Sequence, residues 1–374
     1  MSGLRVAVVG VGHLGRHHAR LLGTLEGVRL VAVVDSDAGT RRDAAKRFAA
    51  PAFAHPRELV DQIDAAIIAT PTRAHFSIAR ALLERGVHLL VEKPLAATRA
   101  EAEELSVTAR AKGLVLQVGH VERFNPAWLA ARPHLAEPKY IDAARCGVFS
   151  FRSTDIGVVH DLMIHDLDLI ASVVRCELRS VEALGLSLFG QLEDVANARL
   201  VFANGCVATL CASRASRQAA RTMQIWTPRA YTRIDFSARA ASIVRPSAAL
   251  LARRLDLESL AAPERAAERD QFLGEHLAME GLATRPADPL TAELEEFVEC
   301  IRLGRSPRAG GEQACESLAI AERILESIAA HSWDGTAEGR VGPWAQPPAD
   351  VIRPPHWPPF AATPHGPTRR KEAG

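Results

Sequence analysis

The sequence predicts an α/β chain of two unlike parts: a doubly wound parallel sheet in the first third, then an α+β part with a largely antiparallel sheet. Three observations predict this. From Val6 to Gly119, short apolar runs alternate with helical patterns, and such β–α repetition winds into a parallel sheet flanked by helices. After Gly119, apolar runs follow one another across short turns, the usual connection of antiparallel neighbours. Between the first strand and the first helix stands Gly10-Val11-Gly12-His13-Leu14-Gly15, a glycine-rich strand-to-helix turn.

Taken in order, Val6–Val9 reads as a buried strand and Arg16–Leu22 as a helix. Leu30–Val34 is the next strand, ending at Asp35, about 20 residues beyond Gly15. Strand, G-x-G-x-x-G, helix, strand and acid together make a Rossmann dinucleotide-binding fingerprint. Its glycines allow a tight turn and a close backbone approach to a pyrophosphate, which the helix N-terminus attracts. A carboxylate at Asp35 accepts ribose hydroxyls and repels a 2′-phosphate, so NAD is expected over NADP. Arg41 and Arg42 keep NADP open as the lesser choice. Asp35 as a plain helix cap is the structural alternative.

Ala65–Ala69 is a strand, Thr70-Pro71-Thr72 a loop, and His75–Arg85 an amphipathic helix closed by Gly86. Val87–Val91 is the next strand and runs into Glu92-Lys93-Pro94. Thr98 is an expected N-cap with Glu101 as its capping-box partner, and the helix stops near Gly113 before Leu114–Val118.

In the second part, Ile141–Phe149, Ser180–Leu188, Ala196–Phe202 and Val207–Ala212 are strand candidates. Asn204-Gly205 signals a hairpin between the last two. Ile225-Trp226, Tyr231–Phe236 and Ala241–Val244 add shorter candidates, and Thr291–Leu303 and Glu312–Ala330 are helices. The expected domains are 1–122 for the cofactor, 123–335 for substrate and oligomerisation, and a Pro-rich tail, 336–374, extended or disordered.

Composition excludes several classes. In 374 residues, Lys plus Arg number 45 against 44 Asp plus Glu. No bulk field therefore steers the chain to nucleic acid or membrane. No apolar run approaches the roughly 18–20 residues of a membrane span. The first strand begins near residue 4, which leaves no room for a signal peptide. The six cysteines are scattered without C-x-x-C pairing. Both features predict a cytoplasmic protein with reduced thiols.

Several residues can carry chemistry. Lys93 stands at the C-terminal end of a predicted parallel strand, where ligands of doubly wound sheets bind. An ammonium there can stabilise a developing alkoxide, although the tripeptide alone more often marks an exposed ion pair. In His160–Asp168, a helix would put Asp161, His165 and Asp168 on one face. His165 suits a general base because free imidazole titrates near 6.5. Metal ligation and a structural His–Asp pair are the alternatives, and no metal is expected. His17 and His18 read as exposed helix residues, while His13 lies in the glycine loop near the cofactor. Arg123 and Asn125 sit where the rhythm changes and a cleft should form; they read as substrate ligands or a capped turn. Arg214, Arg217 and Arg221 form a small basic group, suited to an anionic substrate or to solvent.

These pieces, in this order, resemble the glucose–fructose oxidoreductase/inositol dehydrogenase/rhizopine-catabolism (Gfo/Idh/MocA) family over about residues 4–330. The resemblance rests on the glycine fingerprint, Ala69-Thr70-Pro71-Thr72 with His75, Glu92-Lys93-Pro94, and Asp161 with His165. It implies hydride transfer between NAD and a secondary alcohol of a sugar or polyol. Lys93, Asp161 and His165 would take the catalytic positions. Gly10, Gly12, His13, Leu14, Gly15, Asp35, Ala69, Thr70, Pro71, Thr72, His75, Glu92 and Lys93 would line the cofactor. It also implies a homodimer or homotetramer through the C-terminal sheet.

Gly119–Pro126, Ser153-Thr154-Asp155, Leu162–Asp166 and Asn204–Ala208 resemble a bacterial branch that oxidises the 3-position of UDP-N-acetylhexosamines, as in lipid A precursor synthesis. That likeness implies a sugar-nucleotide substrate bound by Lys93, Arg123, Asn125, Asp161 and His165. Free sugars, inositols or diols, or a non-catalytic NAD(H) sensor, are the other readings. Where many family members carry a run of glycines before the catalytic Asp, only Gly157 stands here.

Overall fold

A computed structural model describes residues 3–150, 156–255, 266–336 and 339–345. The first part runs β1 (Leu4–Val9), α1 (His13–Leu22), β2 (Val28–Val34), α2 (Ala38–Phe48), β3 (Ala52–Phe53), β4 (Ala65–Ile68), α3 (His75–Glu84), β5 (His88–Glu92), α4 (Arg99–Ala111) and β6 (Leu116–Gly119). Its strands pair in parallel in the order β3-β2-β1-β4-β5-β6. This is the doubly wound order, in which the direction of winding reverses beside β1 and opens a crevice at the strand C-termini. Alternate β1 residues serve opposite faces: Val6 and Val8 join one core, Ala7 and Val9 the other. α2 and β3 carry little apolar periodicity, and the sequence pattern missed them.

The second part follows with α5 (Pro126–Ala131), β7 (Tyr140–Cys146), a wide π-turn at Val159–Met163, and α6 (Ile164–Val174). Next come β8 (Leu178–Ser187), β9 (Val195–Phe202), β10 (Val207–Ser213), β11 (Ala220–Thr227), β12 (Ala230–Asp235) and β13 (Ala240–Pro246). The chain ends its described course with α7 (Ala248–Leu251), α8 (Ala266–His276), β14 (Leu277–Leu282), α9 (Pro289–Leu303), α10 (Gly311–Ala330) and β15 (Trp344–Ala345). The sheet order is β14-β13-β12-β11-β7-β10-β9-β8-β15. Only β7–β10 and β8–β15 pair in parallel. Asn204-Gly205 does join β9 to β10 as an antiparallel hairpin, with Gly205 at φ 81°.

The last two helices return to the first part. α9 buries Leu294, Phe297 and Cys300 with Val6, Val8 and Leu22 against the parallel sheet. α10 packs on α4, α6 and β8 at once. The parallel sheet is thus clamped by helices from the far end of the chain.

Three local expectations change. α1 begins at His13, three residues before Arg16, because the glycine turn itself feeds the helix. Thr98 caps α4 as expected, but the Glu101 carboxylate accepts from the Ala97 amide instead. His18 is fully buried, not exposed, because it points inward from α1 to a carboxylate. Ser153-Thr154-Asp155 and residues 346–374 lie outside the described residues. Among the described residues, no helix is long and apolar enough to cross a membrane.

Candidate active site

The loops after β1 and β4 meet at the crevice. Gly10 has φ 85°, and a Cβ there would lie 2.6 Å from the Ala69 carbonyl oxygen. A Cβ on Gly15 would lie 1.8 Å from the Gly10 oxygen, whereas one on Gly12 would meet nothing within 4 Å. Gly10 and Gly15 therefore close the turn, and Gly12 leaves room above it. No side chain caps the start of α1, so its N–H groups stay available to an anion. His13, Leu14 and Pro71 are exposed at the mouth, and Ala69, Thr70 and Thr72 are half-buried.

The Asp35 carboxylate accepts from the amides of Val11 at 3.0 Å and Asp37 at 2.9 Å, which fixes it beside the glycine turn. Arg41 donates to the carbonyls of Asp35 and Ser36 at 2.6 and 3.2 Å. These features fit a dinucleotide: an open glycine, free helix amides and a carboxylate at the end of β2.

A second constellation meets the crevice at the end of β5. The Lys93–Pro94 peptide is cis. The His75 ring lies between the carbonyls of Pro94 at 2.9 Å and Thr70 at 2.8 Å, so it ties the loops after β4 and β5 together. Lys93 Nζ donates to the Asp161 carbonyl oxygen at 2.6 Å and to its carboxylate at 3.0 Å. Asp161 is held in turn: its amide donates to the Gly157 carbonyl at 2.9 Å. The Glu193 carboxylate accepts from the Val159 amide in the same π-turn at 3.1 Å.

His165 is half-buried one turn further on. Of its ring nitrogens, Nδ1 is sealed off without a partner, so Nε2 is the one open to the site. Burial, then the Lys93 ammonium, pushes its pKa well below the usual imidazole range. A neutral imidazole beside an ammonium can accept a proton while the cation stabilises the anion left behind. His120, also lowered chiefly by burial, stands edge-on to His165 at 6.5 Å between ring centres.

The single polar face expected across Asp161, His165 and Asp168 divides. The π-turn shifts the register, and Asp168 faces Arg123, which donates to its carboxylate at 2.5 and 2.8 Å. Arg123 is buried in this pair. Asn125 is buried too: it caps α5 and donates to Glu122 and to the Phe236 carbonyl at 2.9 and 3.1 Å. Both residues therefore meet internal partners where a substrate contact was expected. They brace the junction between the two parts.

A buried layer stands behind Lys93, and Glu92, expected to line the cofactor, belongs to it. Glu92 pairs with His18 at 2.7 Å. Its other oxygen lies where a Cβ on Gly119 would be 2.6 Å away, so a side chain there would displace it. Glu293 of α9 is fully buried, and among the described residues neither carboxylate oxygen has a hydrogen-bond partner. Burial first, then Glu92, pushes its pKa well above the usual carboxyl range. Glu293 was not read as a site residue, because nothing in the sequence joins it to Glu92 or Lys93.

Comparison with known proteins agrees with this geometry. Residues 4–120 match the model of the Gfo/Idh/MocA oxidoreductase family with its NAD-binding Rossmann fold, and residues 132–231 match the family's C-terminal domain. The chain is 34% identical to a UDP-N-acetylglucosamine 3-dehydrogenase of Acidithiobacillus ferrooxidans, over 88% of this chain and 99% of that one. A solved structure of that enzyme superposes with a TM-score of 0.76 over 87% of this chain and 98% of that one, at 32% identity. A scyllo-inositol 2-dehydrogenase (NAD(+)) of Bacillus subtilis is 30% identical over 57% of this chain and 68% of its own. Glycine turn, Asp35, Lys93 and the two-sheet architecture thus converge: the chain belongs to the Gfo/Idh/MocA family, as an NAD-binding oxidoreductase acting on CH–OH groups.

Proposed function

We propose that this chain oxidises the 3-hydroxyl of a UDP-N-acetylhexosamine, UDP-N-acetylglucosamine first, with NAD as oxidant. The observation that carries the chemistry is the Lys93–Asp161 pair beside His165. The substrate reading is supported by similarity along the whole length of the Acidithiobacillus enzyme.

A lysine ammonium has three N–H bonds. Two of those on Lys93 go to Asp161, and the third is left for a substrate oxygen. His165 accepts the hydroxyl proton at Nε2, and Lys93 stabilises the oxygen as negative charge develops. Asp161 orients Lys93. NAD, when bound, supplies the hydride acceptor; Gly10, Gly12 and Gly15 with the start of α1 hold its pyrophosphate, and Asp35 its adenosine ribose. Residues 1–122 serve the cofactor and 123–335 the sugar. Association into a homodimer or homotetramer uses the outer face of the second sheet, where Tyr140, Trp226 and Tyr231 lie side by side with their rings tilted. The reaction supplies a 3-keto sugar nucleotide for amination in lipid A precursor synthesis, in the cytoplasm.

The test is NADH formation with UDP-N-acetylglucosamine, free N-acetylglucosamine and myo-inositol, with the product identified by mass spectrometry. A 3-keto UDP-sugar is expected. Turnover of inositol alone would overturn the substrate reading.

A further inference from the structure

Three arginines converge on one rim of the second sheet, where β7 and β10 end and β11 begins: Arg145, Arg214 and Arg221. Two of them are neutralised. Arg145 donates to Asp166 at 3.0 and 2.8 Å and to Glu122 at 2.7 Å. Arg214 donates to Asp194 at 2.6 Å and to the Ile156 carbonyl at 2.9 Å. Arg221 is exposed, and among the described residues no carboxylate pairs with it.

Its position makes that freedom informative. Arg221 stands directly opposite Arg145 in the β7–β11 register. It is in phase with Met223 and Ile225, which are buried in the core. Strand residues two apart share a face. Arg221 therefore lies on the inner face, the side of α6 and His165, and not on the outer face. Its charge is felt at both His165 and Asp166. Arg145, directly opposite, keeps its own carboxylates, Asp166 and Glu122, so no carboxylate among the described residues is tied up by Arg221. Its guanidinium is therefore left to an anion arriving from outside.

We infer that Arg221 binds the diphosphate of the sugar-nucleotide substrate. This rests on the function proposed above and adds the subsite that would select a nucleotide-linked sugar over a free one. The diphosphate is carried on the same pyranose ring as the 3-hydroxyl, so a cation on the His165 side of the sheet can reach it while the hydroxyl meets Lys93. The planar guanidinium fork matches phosphate oxygens pairwise. The pyrophosphate of NAD is served separately, by the glycine turn and the start of α1.

The experiment compares the full-length protein with its Arg221→Ala, Arg221→Lys and Arg217→Ala variants. Arg217 is exposed in the β10–β11 turn and serves as the surface control. KM and kcat for UDP-N-acetylglucosamine, KM for NAD, inhibition by UDP, and Tm are measured. Losing a charge-assisted hydrogen-bonded contact should raise the sugar-nucleotide KM about tenfold to a hundredfold in Arg221→Ala. UDP inhibition should weaken in parallel, kcat and the NAD KM should stay within a few-fold, and Tm should be unchanged. Arg221→Lys should fall between, and Arg217→Ala should match the wild type. Normal KM and UDP inhibition in Arg221→Ala, with the wild type active on the UDP-sugar, would overturn the inference and leave the function standing. A wild type that neither turns over the UDP-sugar nor binds UDP would overturn both.

Discussion

The chemistry of this site turns on how few of its polar atoms are free. Lys93 gives Asp161 two of its three N–H bonds, and His165 keeps one nitrogen open. Lys93→Met should therefore lower kcat by on the order of 10²–10⁴, because both the oxyanion donor and the cation beside the base disappear. NAD affinity, measured by fluorescence titration, should stay within a few-fold. A variant with near-normal turnover would remove Lys93 from the reaction. Lys93 and His165 could be picked out because each stands in a patterned stretch: a strand end before proline, and a polar residue on an apolar helix. Arg123 and Asn125 looked equally suitable, and only their buried partners show that they hold structure together.

At the scale of elements, the π-turn at Val159–Met163 aims Asp161 at Lys93, and Gly157 anchors its start. A Cβ at Gly157 would fall 1.9 Å from Glu193 Oε1. Gly157→Ala should push this carboxylate off the Val159 amide, displace Asp161, and lower kcat at least tenfold with the NAD KM unchanged. Steady-state kinetics checks this, and equal kcat would free Asp161 from that support. α9 brings the opposite case in Glu293, a buried carboxyl with no hydrogen-bond partner among the described residues. Its folded pKa lies well above the unfolded value of about 4.3. Its favourable contribution is thus full below that value and is lost as pH rises through the folded one. Glu293→Gln imitates the neutral form. Its stability advantage should be near zero at about pH 4.5 and grow by up to about 1.4 kcal/mol per pH unit until the folded pKa is reached. Urea denaturation at several pH values reads this directly; a pH-independent difference would contradict it.

Across the whole molecule, the two sheets are joined by helices that come late in the chain. Phe297 of α9 is fully buried in the same core as Val6 and Val8 of β1. Phe297→Ala should cost about 3–5 kcal/mol, and the first part should loosen with the second because they share that core. Calorimetry should show a lowered transition without a separately stable N-terminal unit. Much of this fold could be read from the chain alone. Strand runs, the Asn204-Gly205 turn, the Thr98 cap and the Gly10–Gly15 turn are set by neighbouring residues, through backbone preference and hydrophobic period. The preference for NAD came from the place of Asp35 at a strand end, and Lys93, Asp161 and His165 were named for catalysis through the family resemblance. Partner choice was decided by the tertiary structure. His18 meets Glu92, Asp168 turns to Arg123 while Asp161 keeps Lys93, and, of the three rim arginines, Arg221 is paired with no carboxylate among the described residues. Each of these contacts depends on sheet register and on the return of α9 and α10 to the first sheet. Local periodicity encodes which face a residue takes, and carries no information about the distant residue that will be waiting there.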